Sequence, residues 1–182
     1  MNFRAGLFLL LSSVAAFASA QYHLSNSQAE WWSNQGYAGT VGFGLIAPLL
    51  FDKEDGKTHA LRVAEVSIGT AGLTSALQRA FPETRPDDSD RESFPSGTAA
   101  LTFAVAHMNA HWRPKQALLW YGAATFCSLS RLQLQKHHEK DVLVGAALGV
   151  AVAELNLRST HGWVLAPLVS ENGTGLLLSS KF

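Results

Sequence analysis

The sequence predicts an all-α protein, a single helical bundle followed by a C-terminal β-hairpin, and three observations carry that expectation. Between residues 58 and 81, Leu61, Ala64, Ile68, Ala71 and Leu77 recur at three- and four-residue steps, which gives a helix one apolar face. Later apolar stretches of helical length are bounded by start and stop signals, among them Pro82, Pro86, Ser96-Gly97 and Pro114. Near the C-terminus, Asn172-Gly173 separates two apolar runs, a strong hairpin signal. The 182 residues suffice for one domain with a sizeable core.

The chain divides into four parts. Residues 1–20 read as a secretory signal peptide: Arg4 supplies the positive start, residues 5–17 are almost wholly apolar, and Ala18-Ser19-Ala20 is a small-x-small site. An exported, periplasmic protein is expected, or a membrane-anchored one if the signal stays uncleaved. Residues 21–57 form an N-terminal segment. A short amphipathic helix is expected at 27–33, residues 36–51 read equally as helix or strand, and Asp55-Gly56 signals a turn. Residues 58–160 form the helical core. Thr58 is the expected N-cap of a first helix reaching about Phe81. A charged loop at 83–91 follows. The next helices are expected at 97–111, from Pro114 to about Leu132, and at 137–157. In the last of these Gly145 and Gly149 stand four apart, so a neighbouring helix can approach closely. Residues 161–182 form the hairpin.

Composition limits the partners. Lysine plus arginine equals aspartate plus glutamate, 14 of each, which leaves no basic excess for nucleic acid. The uncharged helical runs of the core are shorter than the ~20 residues of a membrane span. Trp31-Trp32, an aromatic pair of interfacial type, leaves peripheral membrane contact open. Cys127 is the one cysteine, so no internal disulfide forms, and its apolar surroundings predict a buried structural thiol. The seven histidines show no zinc-binding spacing, and no metal is expected.

Three segments carry candidate chemistry. His137 and Asp141 are four apart, on one face of the expected helix. A carboxylate there can take the proton of one ring nitrogen and leave the other free to attack. The same pattern also describes a surface ion pair or half a metal site. Arg131, just upstream, offers a planar fork for two phosphate oxygens. Phe94-Pro95-Ser96-Gly97 precedes a helix and reads as an anion site or as an ordinary N-cap. Arg85-Pro86 places a second guanidinium, or a solvated charge, on the loop between helices.

Taken together, in this order and spacing, these segments resemble the type 2 phosphatidic acid phosphatase and vanadium haloperoxidase superfamily. Its members carry Lys-x6-Arg-Pro, Pro-Ser-Gly-His and Ser-Arg-x5-His-x3-Asp. The third motif is complete here as Ser130-Arg131, His137 and Asp141; the second reads Pro95-Ser96-Gly97-Thr98; the first is Arg85-Pro86 with Gln78 at the lysine position. The resemblance covers about residues 58–154.

It implies the helical bundle of that superfamily and a phosphoric ester hydrolase that uses neither metal nor cofactor. His137 would attack phosphorus and form a phosphohistidine, with Asp141 orienting it. Arg85, Arg131, Ser96 and Gly97 would hold the phosphoryl oxygens, and vanadate would enter as a phosphate mimic. The substrate would be a phosphomonoester or diphosphate, carried by a small molecule or a lipid. Two departures bear on turnover. Thr98 stands where the family has its general-acid histidine, a loss that typically costs 10²–10⁴-fold and least where the leaving group is good. Gln78 removes a cation. A phosphate-binding or scaffolding module is therefore the second reading. A vanadium haloperoxidase is the third, in a chain short for that class.

Overall fold

A computed structural model describes residues 24–159 and the backbone of two strands, 164–170 and 173–179. The described chain opens with α1 (Asn26–Trp31), capped by Ser25, whose side chain accepts from the Gln28 amide while the Gln28 side chain accepts from the Ser25 amide. A π-helical turn, Trp32–Gly36, leads directly into α2 (Tyr37–Phe51). The ambiguous segment is thus a helix. Thr40, Gly44, Ala47 and Pro48 are its buried residues, at helical rather than alternating spacing.

A 3₁₀ turn, Lys53–Asp55, precedes α3 (Gly56–Ala80). That helix begins two residues before the expected Thr58 cap, and the turn signalled by Asp55-Gly56 is the 3₁₀ turn that leads into it. The glycine serves a close approach as well: a Cβ on Gly56 would lie 2.6 Å from the Pro48 carbonyl oxygen. Next comes α4 (Gly97–Trp112), capped by Ser96, whose Oγ accepts from the Ala99 amide at 3.4 Å. Pro114 opens a short 3₁₀ turn, Pro114–Gln116, ahead of α5 (Ala117–Gln133). The last helix, α6 (Glu139–Arg158), starts after His137 rather than at it. Its N-cap is His138, because the Asp141 side chain folds back onto the His138 amide at 2.8 Å.

The central element is α4, buried along most of its length. Phe103 packs with Trp120, Tyr121 and Val150, while Val105 and Met108 pack with Val63, Val66 and Val152. On α6, a Cβ at Gly145 would lie 2.4 Å from the Ser96 carbonyl oxygen, and one at Gly149 would lie 2.0 Å from that of Ala100. The two backbones therefore touch, as the glycine spacing predicts. That contact brings the N-terminus of α6 against the N-terminus of α4.

Among the described residues no helix is long and apolar enough to cross a membrane. Several large apolar side chains nonetheless face outward, including Ile46, Leu49 and Leu50 on α2 and Leu118 and Leu119 on α5. The strands β1 (Val164–Ser170) and β2 (Gly173–Ser179) pair antiparallel, with Val164 opposite Ser179. Glu171 and Asn172 of the expected Glu171-Asn172-Gly173 turn, and the signal at 1–20, lie outside the described residues.

Candidate active site

The site is built where three pieces meet: the last turn of α5, the start of α6 and the loop between α3 and α4. That loop is braced by its own backbone. Ser93 N donates to Glu83 O at 3.0 Å, Glu83 N to Arg91 O at 3.1 Å and Arg85 N to Asp90 O at 3.1 Å. It docks on the α5–α6 connection through Asp87 N to Gln135 O at 3.1 Å and through the Lys136–Asp87 ion pair.

His137 is buried, with 4% of its surface exposed. Its Nδ1 lies 2.8 Å from the Ser93 carbonyl oxygen. A carbonyl can only accept, so Nδ1 carries the proton and Nε2 holds a free lone pair. Burial pushes the imidazole pKa down to about 4, and the Arg131 and Arg85 charges act in the same direction. The ring is neutral at neutral pH.

The carboxylate does not sit where the spacing predicts. Asp141 is fully buried, and its Oδ2 accepts from Ser93 Oγ at 2.5 Å, His138 N at 2.8 Å and His138 Nδ1 at 3.2 Å. No hydrogen bond joins it to His137, and Asp141 Oδ1 has no partner among the described residues. The reason is local: His137 precedes the helix, so the four-residue step places the two side chains on no shared face.

Arg131 occupies the last turn of α5. One terminal nitrogen donates to Ser33 Oγ in the π-helical turn, while Nε is buried without a partner among the described residues. Burial, followed by the Arg85 charge, lowers its pKa. Arg85 donates from Nε to Asp90 Oδ1 at 2.6 Å and from Nη1 to the Lys136 carbonyl at 3.4 Å.

The buried Ser96 gives its amide to the Asp141 carbonyl at 2.9 Å. Gly97 and Thr98 follow at the head of α4, where amides lack intrahelical partners. Gln78, at the lysine position, is engaged by backbone. Its amide nitrogen donates to Glu92 O at 3.3 Å and to Pro95 O at 3.1 Å, so it anchors the loop to α3.

Sequence reasoning missed Ser93, His138 and Ser33. His138 and Asp141 have the three-residue spacing of a capping box without its usual serine or threonine and glutamate or glutamine, so the helix start at Glu139 carried little signal. Nothing local announces Ser33, 98 residues from its arginine. The structure also brings ligand atoms of Glu83, His138 and Asp141 within 4.8 Å of one another, a grouping invisible in the spacing. Lys140 pairs with that glutamate and Ser93 with that aspartate. His107 bonds Tyr121 Oη at 2.6 Å and Glu154 at 3.2 Å, and His59 pairs with Asp52 at 2.8 Å. Both act as packed structural histidines. Cys127 is buried beside Thr40, and burial pushes its pKa up to about 11, as expected of a structural thiol.

The helical bundle thus sets a buried neutral histidine beside two arginines. The chain belongs to the PAP2 superfamily, whose family model matches residues 55–164. It is similar to a lipid A 1-phosphatase of Porphyromonas gingivalis, 34% identical over 108 residues. That alignment covers 57% of this chain but only 23% of the relative's length. Among solved structures it resembles Aquifex aeolicus LpxE, with a TM-score of 0.64 and 22% identity over 81% of this chain and 94% of that one. A transmembrane PAP2-type phosphatidylglycerolphosphate phosphatase from Bacillus subtilis matches with a TM-score of 0.41 and 20% identity, over 83% of this chain and 92% of the other. The Aquifex likeness establishes the helical fold.

Proposed function

We propose that this protein is an exported phosphatase that hydrolyses a lipid-linked phosphomonoester or diphosphate through a phosphohistidine. The observation that carries the reading is the His137 hydrogen bond: its Nδ1 proton is held by the Ser93 carbonyl, so Nε2 is the nucleophilic atom. A pKa near 4 keeps that lone pair available across the physiological range. Arg131 Nε adds a buried donor with no partner among the described residues, the environment in which an anion is worth most. Arg85 and the head of α4 supply further donors for the oxygens of phosphorus.

In the first step Nε2 bonds to phosphorus as the bond to the leaving oxygen breaks. Water then cleaves the P–N bond and releases phosphate. Nothing in this route requires a metal or a cofactor. Thr98 cannot protonate the leaving oxygen as imidazole would, which favours substrates with good leaving groups, diphosphates above simple alkyl phosphates. The lipid-linked class is supported by the lipid A 1-phosphatase relative and by the outward apolar residues of α2. It is supported also by an apolar groove of about 330 Å³ lined by Trp31, Phe43, Leu119 and Trp120, apart from His137 but on the helical segment that carries Ser33.

The altered Thr98 and the occupied Gln78 amide favour one second reading, an anion-binding module without turnover. A phosphatase panel with wild type, His137→Ala and Thr98→His separates the two. Phosphate release from diphosphates is expected in wild type and lost in His137→Ala, while Thr98→His gains roughly 10²-fold or more on alkyl phosphates. Equal release by wild type and His137→Ala rejects the histidine mechanism. Vanadate binding with no turnover of any ester establishes the second reading.

A further inference from the structure

We infer that Ser93 is a positioning residue for His137, standing in series between Asp141 and the nucleophilic ring. The inference deepens the proposed function and rests on its assignment of His137 as nucleophile. Ser93 is fully buried and every polar group it owns is engaged. Its Oγ donates to Asp141 Oδ2 at 2.5 Å, its carbonyl accepts the His137 Nδ1 proton at 2.8 Å, and its amide donates to Glu83 O at 3.0 Å.

Asp141 is the fixed end of this chain. The His138 amide holds its side chain at 2.8 Å, and its own carbonyl receives the Ser96 amide at 2.9 Å. The glycine contact of Gly145 on Ser96 locks those two helix ends together. Ser93 hangs from this anchor by a charge-assisted hydrogen bond, which is short and stronger than a neutral one. His137 in turn hangs from Ser93. The carboxylate thus orients the imidazole without touching it, and its influence passes through a serine that is not part of the recognised motif.

Removing the hydroxyl leaves the Ser93 carbonyl chemically intact but frees the segment that aims it. The ring would then sample both tautomers and meet more water. The charges around it are Arg131 on α5, Arg85 on the loop and Asp141 on α6. A serine that merely filled space would leave the tautomer unchanged.

The test is an NMR titration of ¹⁵N-labelled histidine in the intact protein, which needs no substrate, followed by kinetics. Wild type should show His137 as the Nδ1–H tautomer, neutral down to about pH 4. Ser93→Ala should mix the tautomers, move the titration toward 6.5, the ordinary histidine value, and lower kcat with KM little changed. Asp141→Asn, although it alters no group in contact with His137, should disturb the tautomer in the same sense. The double variant should be no worse than the worse single variant, since serial contacts do not add.

An unchanged tautomer in Asp141→Asn overturns the inference even if Ser93→Ala fails to fold. Rate losses that multiply in the double variant overturn it as well. If the titrations behave as expected while wild type turns over no phosphate ester, the phosphatase reading fails and the positioning role stands.

Discussion

At the scale of single residues the site is governed by burial. His137 has lost its water, and the nearby guanidiniums reinforce the bias toward the neutral ring. The sign of the pH dependence follows. Protonation of Nε2 removes the nucleophile, so kcat/KM should hold as pH falls from neutral and decline only through about pH 4. A pH–rate profile on a diphosphate checks this, and an acid limb near 6.5 would contradict a buried ring. That Arg131 and His137 lie near one another was legible in the sequence, because one short motif carries both. The partner of Asp141 was not, because a shift of two residues in a helix start rotates a carboxylate away from one neighbour and toward another. Gln78 shows the same limit. Its position was readable, but the carbonyls of Glu92 and Pro95 that hold it belong to a loop whose path no periodicity encodes.

At the scale of elements the decisive contact is α6 on α4. A methyl group at Gly149 would fall 2.0 Å from a backbone oxygen, with no flexible side chain to yield. Gly149→Ala should therefore destabilise the protein by about 1–3 kcal/mol, measured by denaturant unfolding. The same change at Gly122 on α5 meets nothing within 4 Å and should stabilise by roughly 0.5–1 kcal/mol, the ordinary helix preference for alanine. This pair of glycines separates contact from propensity. The long helices were legible because an apolar face repeats many times, whereas α2 was ambiguous because its uncharged residues carry little contrast between faces. Helix starts depend on single contacts, Gly56 on Pro48 or Asp141 on His138, and single contacts leave weak traces in sequence.

At the scale of the molecule, two buried histidines couple folding to pH. His107 and His137 both have pKa values lowered by burial from the ordinary 6.5. Below 6.5 the unfolded chain takes up protons that the folded chain refuses. Stability should thus be complete above about 6.5 and should fall as pH drops toward the folded value, about 4 for His137. Thermal unfolding followed across that range should show a midpoint that decreases with acidification, with a shallower slope in His137→Gln. The docking of the N-terminal segment onto the family core, through Ser33 on Arg131, Trp32 on Phe126, Gly44 on Asn109 and Asp52 on Arg113, had no counterpart in the sequence because each contact joins residues far apart in the chain. Cys127 adds a property of another kind. It is the sole thiol, fully buried where α5 meets α2, and its pKa is raised to about 11. A thiol-specific dye can label the chain only when those helices part, so the protein carries its own clock for opening, with no second cysteine to blur the reading.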